Sequence, residues 1–76
     1  MTKPMSIQGL IKLVEGYNSV HDAILQEFGT GEVYQKVVPR LEKAVDEALK
    51  VYSINPSKLH ELQNEFGSVE EAFRRL

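Results

Sequence analysis

The residues able to do chemistry are few and widely spaced. There are two histidines, His21 and His60. A histidine acting as a proton carrier or metal ligand needs a carboxylate or a second histidine beside it. His60 lies on a later helix, and neither Asp22 nor Glu27 falls one turn from His21 on the same face. His21 also sits on an apolar stripe, so it reads as a packed structural histidine that can make the fold pH-sensitive. The carboxylates Glu42, Asp46 and Glu47, and later Glu61, Glu65, Glu70 and Glu71, are raw material for a general acid/base pair. None sits among residues that would desolvate it, and lysines and arginines are interleaved, so they read as solvated faces. Lys43 to Glu47 and Asp46 to Lys50 are four-residue helical pairs worth a few tenths of a kcal/mol. No serine has a histidine or lysine at a spacing suited to nucleophilic work. Gly29-Thr30-Gly31 is too short for a phosphate loop and lacks the lysine that follows one. The sequence therefore points to no catalytic residue, no metal ligand set and no cofactor, and the chain is expected not to be an enzyme.

Bulk composition narrows the class further. With 76 residues the chain makes one small domain, residues 1-76. A chain of this length buries only about 60% of its unfolded surface, so it needs efficient packing or a second subunit. It has no cysteine, which removes disulfides and thiolate metal sites. The net charge of -2 mixes both signs and gives no support to general affinity for nucleic acid or acidic membranes. No apolar run approaches the roughly 20 residues of a membrane span. Met1 to Met5 carries one lysine and no following hydrophobic block, so it does not read as a signal peptide. A soluble, cytoplasmic protein is expected.

The elements that position these residues are helices. Ile7, Leu10, Ile11, Val14, Tyr17, Ile24, Leu25 and Phe28 make a stripe held for about six turns, widened by Leu13 and Val20. Ser6 is its N-cap. Gly16, Asn18 and Ser19 weaken its middle, and Gly29 ends it. After the short turn at Thr30 and Gly31 a second helix should run back antiparallel. Its stripe is read as Tyr34, Val37, Val38, Leu41, Ala44, Val45, Ala48, Val51 and Tyr52, with Val33 and Leu49 beside it. Pro39 either kinks that helix or marks its true start. Asn55 or Ser57 caps a third helix, with Pro56 near its first position and Leu59, Leu62 and Phe66 inward. Gly67 ends it. Ser68 with Glu71 forms a capping box for a fourth, lined by Val69, Ala72, Phe73 and Leu76. One bent helix from Leu59 to Leu76 is the alternative. The helices are expected at about 6-28, 32-52, 57-66 and 69-76.

Two further patterns bear on partners. Lys36, Arg40, Lys43 and Lys50 share a flank of the second helix, interrupted by Glu47, where an anionic partner can dock. Ile54-Asn55-Pro56-Ser57-Lys58, followed by Phe66-Gly67-Ser68-Val69-Glu70-Glu71-Ala72, resembles the second half of helix-hairpin-helix DNA-binding modules. The resemblance covers about a quarter of the chain and implies phosphate contacts from hairpin amides, with Lys58, Arg74 and Arg75 in support. Ser53 and Asn55 stand where that family has glycines.

The expected fold is all-α: a long antiparallel helical hairpin with one or two short C-terminal helices, able to complete a helical bundle as a dimer. Two stripes this wide exceed what the short helices cover, and surplus apolar surface marks an interface. The first functional expectation is thus a protein–protein interaction module (a regulator, inhibitor or adaptor) with Leu13, Val20, Phe73 and Leu76 as partner-binding residues and self-association into a dimer. The second is a nucleic-acid-binding module using Lys36, Arg40, Lys43 and Lys58. The acidic balance favours the first.

Overall fold

The computed structural model describes residues 6–76 and is all-α. The lead-in through Met5, including Pro4, lies outside the described residues. The elements are α1 (Ile7–Phe28), α2 (Glu32–Val51), α3 (Pro56–Phe66) and α4 (Val69–Arg74). α1 begins where the Ser6 hydroxyl accepts the Gly9 amide at 3.1 Å, filling one of the free donors of the first turn. It runs through Gly16 without interruption and closes at Gly29, whose φ of 68° suits a residue without a Cβ. α2 starts at Glu32 and continues through Pro39. That settles the two readings of this proline: the helix is continuous and does not start there. Pro39 is exposed, so the Gln35 carbonyl that loses its amide donor lies at a position open to water.

The turn after α2 decides where the rest of the chain goes. Ser53 takes φ 61°, a left-handed conformation that is uncommon outside glycine. Its amide bonds to the Lys50 carbonyl at 2.9 Å, and the Ile54 amide reaches back to the Leu49 carbonyl at 3.0 Å. This pair of bonds is a Schellman motif. Its usual apolar contact is present too, since Ile54 packs against the core that contains Leu49. The chain leaves α2 toward one side of the hairpin. There Asn55, not Ser57, caps α3: its side-chain oxygen accepts the Ser57 amide at 2.9 Å, with Pro56 as the first helical residue. Gly67, at φ 70°, separates α3 from α4, so the single bent helix is not formed. Ser68 accepts the Glu71 amide at 3.3 Å. The capping box is only half made, because the Glu71 carboxylate turns instead to Arg74 at 3.5 Å and Arg75 at 3.2 Å.

The core joins one side of each long helix to the short ones. Ile11 and Val14 from α1, Val45 and Leu49 from α2, Leu59 and Leu62 from α3, and Val69 and Ala72 from α4 form one buried cluster. Leu10, Ile24 and Val38 are also buried. The face of α2 differs from the expectation. Leu49, read as lying beside the stripe, is 2% exposed, while Val37 is 36% and Val51 78% exposed. Leu41, read as mid-stripe, is half-buried and Ala44 exposed. The cause is the direction of the Ser53 turn: α3 docks beside Val45 and Leu49, so that flank becomes the inside. Leu25 and Phe28, near the hairpin tip, are exposed as well.

Leu49→Ala should cost roughly 2–4 kcal/mol, the range for a buried leucine truncated in a core. Leu41→Ala should cost well under half of that within the single chain, read from urea midpoints at a protein concentration low enough to keep the chain monomeric. Ser53→Gly should raise stability by about 1 kcal/mol by removing the left-handed penalty of a residue with a Cβ; an unchanged midpoint contradicts that account of the turn.

Candidate functional site

Two surfaces stand out: a groove with an apolar floor and polar rim residues on the inner side of the hairpin, and an apolar face on its outer side. The groove, of about 460 Å³, lies between α1, α2 and α3. It gathers residues far apart in the sequence. Tyr17, Asn18 and His21 come from α1, Glu42 and Asp46 from α2, and His60 from α3. His21 Nε2 is hydrogen-bonded to the Tyr34 hydroxyl at 3.1 Å, and Nδ1 lies 3.4 Å from an Asp22 carboxylate oxygen. Its ring meets Tyr34 edge-on at 5.4 Å between centroids. Its side chain is 26% exposed, so it is a packed residue that ties α1 to α2. Asp22 reaches it as the next residue along, not from the next turn. Asn18 donates to Gln63 at 2.9 Å, a bond between α1 and α3.

The electrostatics of the groove fall on Tyr17. Burial raises its phenol above the ordinary value of 10.0, and the negative charges of Glu42 and Asp46, with Tyr34, add to the effect. Among the described residues no three of His, Cys, Asp or Glu converge as a metal site, and no buried side-chain polar atom lacks a partner.

The outer face is apolar along α2. On α2, Val37, Ala44 and Val51 recur every seventh residue, with Leu41 and Ala48 between them. This is the apolar spacing of a helix-packing seam. It adjoins the buried flank of Val38, Val45 and Leu49, but α3 and α4 lie on the other side of the hairpin. On α1 the neighbouring flank carries Leu13, Gly16 and Val20, at helical spacing away from Ile11 and Asn18, which face α4 and α3.

The expected partner-binding residues divide accordingly. Val20 and Leu76 are 43% and 48% exposed. Leu13 and Phe73 are half-buried and pack against the core, so only part of each is left for a partner. Val20 lies on α1 and Leu76 beyond the end of α4. The outer seam of α2 was missed as a site because its residues were counted as core; the seven-residue repeat was the available signal.

The basic residues are partly engaged. Lys36 pairs with Glu32 at 2.6 Å. Arg75 pairs with Glu71 and lies 4.1 Å over the Phe66 ring. Among the described residues Arg40, Lys43 and Lys58 make no ion pair, and the anticipated Lys43–Glu47 and Asp46–Lys50 pairs are not formed. The turn amides of Ser53 and Ile54, where the helix-hairpin-helix resemblance places phosphate contacts, already donate to α2 carbonyls.

No family model, no curated protein and no solved structure matches the chain.

The raised Tyr17 phenol has a consequence for stability. The folded state holds this proton more tightly than the unfolded chain does, so the stabilisation is complete below about pH 10 and is lost as pH rises through the raised value. Between about pH 9 and about pH 11, the wild-type urea midpoint should fall more than that of Tyr17→Phe. Equal losses contradict the assignment.

Proposed function

We propose that the chain is a small non-enzymatic protein–protein interaction module, acting as a regulator, inhibitor or adaptor, that holds a partner protein against the apolar surface its own fold leaves uncovered. The observation that carries this reading is the outer hairpin face, where Val20, Val37 and Val51 stay exposed in a chain of 76 residues. Contiguous apolar surface on so small a domain is costly in water and is retained where something covers it. Leu76 adds a second apolar point at the C-terminal end. The absence of cysteine from the sequence suits a reducing, cytoplasmic setting. Nucleic-acid binding has less support. The net charge is -2, and the turn amides and Arg75 are engaged within the chain.

Affinity in such an interface comes from buried apolar anchors, while rim charges act mainly on association rate. Tagged chain in host lysate should retain a protein partner after nuclease treatment. Val20→Asp and Leu76→Asp should cut that retention about tenfold or more, and Lys36→Glu with Lys43→Glu less than about threefold. These positions are exposed, so the variants keep their helical circular dichroism; Leu13 and Phe73 are unsuitable because they also fill the core. Micromolar duplex binding that falls steeply with salt and vanishes in the lysine variants overturns the reading in favour of a nucleic-acid module with Lys36, Arg40, Lys43 and Lys58 as its contacts.

A further inference from the structure

We propose that the occupant of the outer hairpin face is a second copy of this chain, packed with α2 antiparallel on α2 about a two-fold axis near Leu41 and Ala44. The inference rests on the reading of that face as an interface and names what covers it. Three observations converge on it.

The first is size complementarity along the seam. An antiparallel helix pair alternates the two kinds of seam position across its axis. With the axis between Leu41 and Ala44, Leu41 of one copy lies over Ala44 of the other, and Val37 over Ala48. At the centre of the seam these two large residues each meet a small one, which lets the helices approach closely there, while Val51 falls over Tyr34 at either end.

The second is charge. Arg40 and Glu47 stand seven residues apart on the edge of the seam away from α1. An antiparallel pair brings like edge positions face to face, and the same axis sets Arg40 of each copy against Glu47 of the other. The two-fold repeats the pair, as an isologous interface requires. Lys36, on the same flank, is already neutralised by Glu32 at 2.6 Å.

The third is Gly16. Glycine in a helix interior costs roughly 0.5–1 kcal/mol relative to alanine. Gly16 lies mid-α1, and a Cβ added there would meet nothing within 4 Å. Among the described residues nothing calls for a glycine there. The hairpin, closed between Phe28 and Glu32, sets Gly16 about level with the middle of α2, hence close to the proposed axis. It stands on the outer flank between Leu13 and Val20. A second hairpin laid across this face brings its own α1 over that point, where the missing Cβ permits close approach of the backbones.

Sedimentation equilibrium of the full chain across the micromolar range, with far-ultraviolet circular dichroism, tests the proposal. The expected result is a dimer mass. Gly16→Leu should keep its helical signal, because the space around it is open in the single chain, and should sediment as a monomer. Arg40→Glu should raise the dimer Kd about tenfold, since symmetry counts the lost pair twice. Adding Glu47→Arg to that variant should restore the Kd to within about twofold. A monomer at every concentration overturns the proposal, as does a dimer indifferent to Gly16→Leu. If Gly16→Leu loses helix, the charge exchange decides, and failure to restore affinity overturns the proposed register. A monomer that still retains a partner protein through Val20 refutes the second copy but leaves the interaction reading standing. A dimer that retains no other protein does the reverse.

Discussion

The packing of one side of the α1–α2 hairpin against two short helices is the constraint from which the rest of this molecule follows. α3 and α4 together supply Leu59, Leu62, Val69 and Ala72 to the core, enough to cover one flank of each long helix near their free ends. They do not cover the hairpin tip or its other side. The result is flat, with Cα extents of 35 × 33 × 17 Å. A slab this thin has an inside on one side of the hairpin only. Apolar residues that continue around α2 past the buried flank therefore come to lie in water, at a cost that scales with the area exposed.

The turn at Ser53 and Ile54 sets which side is covered. By closing the end of α2 through its last carbonyls, and by seating Ile54 next to Leu49, it sends α3 back along one flank. The same bonds use the amides that would otherwise be available to a phosphate. A single local motif thus fixes the direction of the chain, the inner face of α2 and the limited capacity of this turn for anion binding. The groove beneath it collects Tyr17, His21 and His60 as a consequence of that packing. The polar contacts there, His21 to Tyr34 and Asn18 to Gln63, act as ties between helices.

Much of this was legible in the residues. Ser6, Gly29, Asn55-Pro56 and Gly67 marked the helix ends because each supplies a specific cap or backbone geometry. His21 read as structural because no partner stood one turn away. The face of α2 was not legible. Val37, Leu41, Ala44, Ala48 and Val51 make as good a stripe as Val38, Val45 and Leu49, and periodicity cannot rank two adjoining flanks. The deciding feature was a left-handed residue after α2, and serine there gives no such signal where glycine would. The Ser68 half of the capping box was legible, but not the loss of its other half: spacing permits Glu71 to reach back to Ser68, while Arg74 and Arg75 offer its carboxylate a charged alternative. Only the α2 part of the outer face was not legible as surface, because Val37, Leu41, Ala44, Ala48 and Val51 read as core.

Nuclear magnetic resonance on a mixture of isotope-labelled and unlabelled chain, filtered for intermolecular contacts, tests most directly whether a second copy covers the outer side of the hairpin. The expected result is contacts between the Leu41 methyls of one copy and the Ala44 methyl of the other, and none involving Leu59 or Val69 in the core. Intermolecular contacts confined to Phe28 and Leu25 at the hairpin tip, or none at millimolar concentration, would contradict it.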